Sequence, residues 1–352
     1  MAQPPADEAN GSGAQRRLQM ADIARLAGVS KATVSRALAH SPRVNEETRN
    51  RILELARSLK YTINIGAQNL RMKQNRTIAV VIPVDPATHQ QLSDPFLLTM
   101  LGSLADALTA QGFEMLFSRI STKQFDAAAA PFDTGRVIGI IMVGQWGMHE
   151  QLNQLAARQV PIVVWGAQLP QQLYCCIGSD NSSGGQLATE HLIAQGRRRI
   201  AFFGDITLPE PQQRYRGYCA ALARHGIEID PQLQVSVSFL PEGGAQAVQE
   251  LARRGGAFDA VFACSDSLAM TAIDSLRAQG LTVPHDVAVV GYDDVGQSAY
   301  FHPRLTTVRQ PIAAAGAALV ASLLGLIDGQ ASPSVQLPTE LIVRASCGAP
   351  AA

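Results

Sequence analysis

The chain has 352 residues, of which 47% are hydrophobic, 16% charged and 5% aromatic. That is enough for two or three folding units and suits an α/β protein rich in Ala, Val, Ile and Gly, with disorder confined to the ends. The net charge of zero hides a division, since residues 16–76 carry +9, residues 77–352 carry −7 and residues 1–15 carry −2: a basic module is joined to an acidic one. No run of 18 apolar residues occurs and the first 19 residues lack an apolar signal core, which argues against export or membrane insertion and for the cytoplasm. Five cysteines, odd in number and without CxxC spacing, indicate neither a disulfide framework nor a zinc site.

Residues 1–17, rich in Ala, Gly, Pro and Gln, read as a disordered tail. Residues 18–62 read as a small helical bundle. Its apolar residues fall at helical spacing in three runs: Ile23, Leu26 and Ala27; then Val34, Ala37 and Leu38; then Ile52, Leu55, Ala56 and Leu59. Gly28 breaks the first run, Ser30 can cap the second, and Asn45 can cap the third with Glu46 and Glu47 placed against the helix dipole.

Two helices joined by a tight turn at Gly28 have the form of a helix-turn-helix, whose second helix presents its first residues to the DNA major groove. Once Val34 and Leu38 enter the core, Ser30, Lys31, Ala32, Thr33, Ser35 and Arg36 remain as a reading face of small or hydrogen-bonding residues. Arg36 can address guanine O6 and N7 in bidentate fashion. Any small three-helix domain would show the same apolar spacing, so the bundle alone leaves DNA binding open.

From residue 77 the pattern changes to apolar strands alternating with helices. Candidate strands lie at 78–82, 113–117, 137–143, 162–165, 200–203, 234–239, 260–264 and 287–290, with helices such as 97–111 and 184–195 between them. Strands that are apolar on both faces and alternate with helices imply parallel sheets, here two doubly wound halves. A ligand then belongs between the halves, beyond the carboxyl ends of the strands.

The residues Asp22, Ile23, Ala24, Ala27, Gly28, Val29, Ser30, Thr33, Val34, Ser35 and Arg36, followed by Val44, Asn45, Thr48 and Arg49 and by Leu59 and Tyr61, form a long pattern that closely resembles the LacI/GalR repressors. The resemblance implies a short hinge helix over residues 63–76, with Leu70 as an apolar wedge in the minor groove and Asn64 at its start; Ile63 stands where the family has proline. It continues through Gly196 to Ala201, Arg214 to Tyr218, Val290 to Asp294 and Leu305 to Pro311, landmarks of the family's periplasmic-binding-protein-like domain. The implied fold is therefore a small all-α DNA-binding domain followed by a two-lobed, doubly wound effector domain over residues 77–348. Its N-lobe would comprise 77–177 and 311–330, its C-lobe 178–308 and 333–348.

Arg214 and Asp293 match the family's ligand-holding arginine and aspartate, and their chemistry suits a polyol, because a guanidinium donates to hydroxyl oxygens and a carboxylate accepts from hydroxyls. A turn or capping role for Asp293 is the alternative. Phe239, read as the end of a strand, is open between ligand contact and core. Ser265 stands where many relatives carry Asn, and Asp266 reads as the cap of the helix that follows. In the N-lobe, Asp85, Phe96 and Trp165 lie at or near strand ends that would line the cleft, Trp165 being equally suited to stacking on a sugar or to burial.

The expected function is an operator-binding transcription regulator, a repressor controlled by a small sugar between the lobes. The alternatives are a purine-type corepressor-dependent regulator and, in another class, a solute-binding transport protein, for which a helix-turn-helix has no use. No dinucleotide fingerprint, P-loop, metal-spaced His cluster or nucleophile elbow is present, so neither an enzyme nor a cofactor is indicated. One helix-turn-helix covers a half-site, so a homodimer on a near-palindromic operator is expected. The end of the chain soon after 341–343 leaves no room for a tetramerising helix.

Overall fold

The computed structural model describes residues 20–38, 41, 43–59, 75–86, 91–240 and 242–348. The chain divides into two units, Met1–Gln74 and Asn75–Ala352.

In the first unit, α1 (Met20–Leu26), α2 (Lys31–Leu38) and α3 (Glu46–Ser58) enclose a core of Ile23, Ala24, Ala27, Val34, Ala37, Val44 and Ile52. Ala24 and Ala37 are buried, whereas Leu26 is 56% exposed and Leu38 is only partly covered. Small residues let three short helices approach closely where the apolar spacing alone had pointed to leucines. Gly28 takes φ +65° in the turn, a conformation that costs glycine nothing. The Ser30 hydroxyl accepts from Thr33 N at 3.1 Å, and Asn45 Oδ1 accepts from Thr48 N at 2.8 Å, which satisfies donors that a helix start leaves unpaired. Arg51 Nη2 donates to the Ala27 carbonyl at 3.2 Å, tying α3 to the end of α1.

The second unit runs β1 (Thr77–Val84), α4 (Pro95–Ala110), β2 (Glu114–Ser121), α5 (Ala130–Asp133), β3 (Gly139–Val143), α6 (His149–Ala157), β4 (Ile162–Trp165), β5 (Cys175–Ser179), α7 (Asn181–Ala194), β6 (Ile200–Phe203), α8 (Pro209–Arg224), β7 (Gln234–Val235), α9 (Gly243–Arg254), β8 (Ala260–Ala263), α10 (Asp266–Ala278), β9 (Ala288–Asp293), β10 (Thr306–Arg309), α11 (Ile312–Ile327), β11 (Val335–Leu337) and β12 (Glu340–Ile342). Two six-stranded sheets result, ordered β11-β5-β4-β3-β1-β2 and β12-β10-β9-β8-β6-β7. Every pairing is parallel except β10 with β12. In β1, Ile78, Val80 and Ile82 enter one core while Ala79 and Val81 enter the other, so helices cover both faces of the sheet, as parallel strands require.

The chain crosses between the lobes after β5, after β10 and between β11 and β12. The last crossing corrects the lobe assignment for 333–348, because Val335 to Leu337 pair with β5 in the N-lobe. The strand expected at 234–239 ends at Val235, so Phe239 lies in the loop beyond it.

Candidate functional site

Helix α2 of the first unit carries the expected reading face. Ser30, Lys31, Ala32 and Arg36 are exposed, Thr33 and Ser35 half-buried, and Val34 and Ala37 hold the opposite side in the core. The hydroxyls of Ser30 and Thr33 lie 2.9 Å apart, fixing both side chains at the helix start. Asn64 and Leu70 lie outside the described residues.

The second unit contains a cleft with about 710 Å³ of empty space, open solvent at its mouth included. Ile82, Val143 and Trp165 come from strand ends of the N-lobe, and Leu208, Ser265 and Asp293 from strand ends of the C-lobe or just beyond. The cleft thus opens at the carboxyl ends of both sheets, where doubly wound folds bind ligands.

Arg214 projects from α8 and is 5% exposed. Its Nε donates to Asn181 Oδ1 at 2.8 Å, its Nη1 donates to the Cys264 carbonyl, and its Cζ lies 3.7 Å from the centroid of the buried Tyr292 ring. A desolvated cation over an aromatic face is worth about 2 kcal/mol, so three contacts hold this guanidinium before any ligand arrives. Asp293 ends β9 with φ +116°, a conformation that costs a non-glycine residue about 1–3 kcal/mol and is characteristic of functional positions. Gln310 Nε2 donates to Asp293 Oδ1 at 2.6 Å, and Ser179 Oγ donates to Gln310 Oε1 at 2.8 Å. Burial pushes the Asp293 carboxyl up to about 7; Asp94 adds to the rise, while Arg214 and the Gln310 hydrogen bond oppose it.

The neighbouring Asp294 has a different role. Burial alone would raise its pKa, but hydrogen bonds from Arg344 Nη2 at 2.6 Å and Arg309 Nε at 2.7 Å hold it below the usual range. Asp266 does not cap α10, because Ser265 does so, accepting from Leu268 N at 3.3 Å. Fully buried Asp266 instead accepts from Thr307 Oγ1 at 2.5 Å and Val295 N at 2.9 Å, and is raised by burial and by nearby Asp293.

Of the seven residues expected around the ligand, Phe96, Trp165, Arg214, Phe239, Ser265 and Asp293 line the cleft. Asp85 lies just past β1 and is not among its lining residues; Asp94 takes that place. Asp94 caps α4, accepting from Phe96 N and Leu97 N at 3.0 and 3.3 Å, and the Asp94-Pro95 pair is a helix-start signature visible in the sequence. Trp165 is 5% exposed and serves the core and the cleft wall together.

Gln145, Glu210 and Gln310 also line the cleft and were missed. Gln145 is fully buried and held by Ala167 N at 2.9 Å, Ala167 O at 2.8 Å and the Tyr174 hydroxyl at 2.9 Å. Its amide is therefore structural. Glu210 stands four residues before Arg214 on α8, a spacing that puts both on one helix face. Among the described residues no group of His, Cys, Asp and Glu could hold a metal ion, and no helix is long and apolar enough to cross a membrane.

Residues 19–64 match the bacterial regulatory proteins of the lacI family, and residues 189–347 match a periplasmic binding protein-like domain. The HTH-type transcriptional regulator CelR of Thermobifida fusca is 32% identical over 94% of this chain and 99% of its own length. The chain belongs to the LacI family. The lac repressor dimer bound to operator and the anti-inducer ONPF superposes with a TM-score of 0.82 at 26% identity, covering 95% of this chain and all of that one. The CelR–cellobiose complex gives 0.70 at 31% identity, covering 94% and 100%. This LacI-family protein is accordingly a DNA-binding transcriptional regulator and not an enzyme.

Proposed function

We propose that this LacI-family protein is a cytoplasmic repressor that binds a near-palindromic operator as a homodimer and changes its operator affinity when a small sugar occupies the cleft of its second unit. The observation that carries the sugar reading is the convergence of Arg214 and Asp293 on one cleft walled by Phe96, Trp165 and Phe239. A planar donor and a carboxylate acceptor match vicinal hydroxyls, and flat rings match the apolar face of a pyranose. A relative that covers nearly the whole chain has been solved with cellobiose, which supports the same ligand class. Ser30, Lys31, Ala32, Thr33, Ser35 and Arg36 make the groove contacts, with Asn64 and Leu70 assigned to the hinge.

The experiment is operator affinity by fluorescence anisotropy across a panel of mono- and disaccharides, with melting temperature followed in parallel. A binding sugar present at 100 times its Kd stabilises the protein by about 2.7 kcal/mol. The sugar reading fails if no carbohydrate alters either quantity while a purine does.

A further inference from the structure

Glu210 lies in the first turn of α8, between Pro209 and Pro211, and lines the cleft. Glu210 is half-buried. Its carboxylate accepts from its own backbone amide. The guanidinium of Arg214, one helical turn on, has Nε and Nη1 committed to Asn181 and Cys264 and its face to Tyr292. Tyr174 and Cys176, on which Glu210 acts, bring no positive charge, and His149 stands beyond them with its Nδ1 3.0 Å from the Tyr174 hydroxyl.

Asp94 reaches the same cleft from the N-lobe and Asp293 from the C-lobe. Three carboxyl groups therefore share an otherwise largely apolar space with one guanidinium. Burial raises the proton affinity of all three, as expected of acids in a site short of compensating charge.

We propose that Glu210 is the charge filter of the effector cleft: the effector is a polyol that is uncharged or carries an amine, and sugar acids and sugar phosphates are excluded. This rests on the reading of the cleft as a sugar site. An ionised carboxylate only accepts hydrogen bonds, so a hydroxyl or ammonium of the ligand supplies Glu210 with a donor. A ligand carboxylate or phosphate would instead place another anion beside these acids, and whichever of them is ionised repels it.

The test uses full-length protein and Glu210→Gln, titrated in thermal shift with two matched series: glucose, glucosamine, glucuronate and glucose 6-phosphate, and their galactose counterparts. Wild type should respond to neutral or aminated sugars only. Glu210→Gln should shift the ratio of apparent Kd values for uronate and neutral sugar about tenfold or more toward the uronate. Wild-type stabilisation by a uronate or sugar phosphate as strong as by its neutral counterpart overturns the filter and leaves the sugar site standing. Silence of both proteins toward every sugar overturns the sugar-site reading and the filter with it. A readout without ligand keeps the charge argument separate. Because the Glu210 carboxyl is raised in the folded protein, ionising it costs stability as pH rises, so Glu210→Gln should melt higher than wild type at about pH 7.5, with a smaller gain toward about pH 5. No gain at the higher pH would mean the carboxylate is already compensated, and would refute the proposal.

Discussion

Lowering the pH from 8 to 6 should weaken sugar binding to the wild-type protein about tenfold, because the acceptor at the centre of the cleft loses its charge. Burial raises the Asp293 carboxyl to about 7, so its ionised fraction falls from roughly nine tenths to roughly one tenth across that interval, a difference of ~1.4 kcal/mol. Asp266, raised by burial and by Asp293, shares the titration, and the observed midpoint belongs to the pair. The sign differs between folding and binding. In the ligand-free protein the raised pKa contributes stability that is complete below the unfolded value of about 3.9 and is lost as pH rises through about 7. Sugar hydroxyls donate to the ionised form, so binding expels the proton and strengthens over the same rise. Titration calorimetry from pH 6 to 8, in buffers of different ionisation enthalpy, reads both affinity and proton release. Asp293→Asn keeps the shape but replaces a charged acceptor; hydrogen bonds to charged groups are worth about 1.5–3 kcal/mol, so binding should weaken roughly 10- to 150-fold. Effector-free operator binding should stay close to wild type, giving a repressor that no longer responds. Wild-type affinity that is flat from pH 6 to 8 without proton release, or a variant with wild-type midpoint and amplitude, would remove Asp293 from the site.

Arg36→Ala should weaken operator binding by about 1–3 kcal/mol while leaving most affinity for random DNA; equal losses on both in parallel anisotropy titrations would reduce Arg36 to a phosphate contact. Gly217→Ala should destabilise the second unit by about 3 kcal/mol in urea unfolding, because its new methyl would sit 2.0 Å from the Ser182 carbonyl oxygen and force α8 away from α7; wild-type stability would mean that the helices part freely. Gln310→Leu removes the donor to Asp293 and should move the midpoint of the pH dependence upward, and a downward or absent shift in the same calorimetric series would refute that role.

The first unit was legible because its determinants are local. Ser30 and Asn45 cap their helices within three residues, Gly28 turns the chain, and Val34 fixes which side of α2 faces inward. The long strands were equally plain, since β1, β3 and β4 are continuous apolar runs buried on both faces. The strands that escaped carry weaker patterns. β5 opens with two cysteines and ends in Gly178 and Ser179, β10 begins with Thr306 and Thr307, and β11 lies at a sheet edge with Val335 38% exposed. Missing β11 misplaced the third crossing. The cleft was legible where a family motif fixes a residue at a strand end, as with Asp293, and illegible where a loop decides. Asp85 and Asp94 both follow β1, and only the start of α4 determines which one lines the cleft. Glu210 was hidden for another reason: an acidic residue in a first turn ordinarily answers the helix dipole, and only the cleft geometry shows that it also lines the cleft.

The polar network at the back of the cleft explains how one small molecule can act on both lobes. Gln310 sits directly after β10, where the chain crosses toward the N-lobe, and its amide joins Ser179 at the end of β5 to Asp293 at the end of β9. At the other side Gln213 of α8 donates to the Gln168 carbonyl beyond β4 at 3.0 Å. Among the described residues these hydrogen bonds join the lobes, each worth about 1 kcal/mol net, and the buried apolar clusters of the two lobes are separate. A ligand that touched one lobe alone would bind any lobe arrangement equally well and shift nothing, since only differential affinity moves a conformational equilibrium. In the proposed site, a sugar held by Arg214 and Asp293 from below and by Asp94, Phe96 and Trp165 from above would have that differential affinity. A gain of even 2–3 kcal/mol is comparable to the hydrogen bonds that set the lobe arrangement, and is of the size by which effector and operator affinities are commonly coupled.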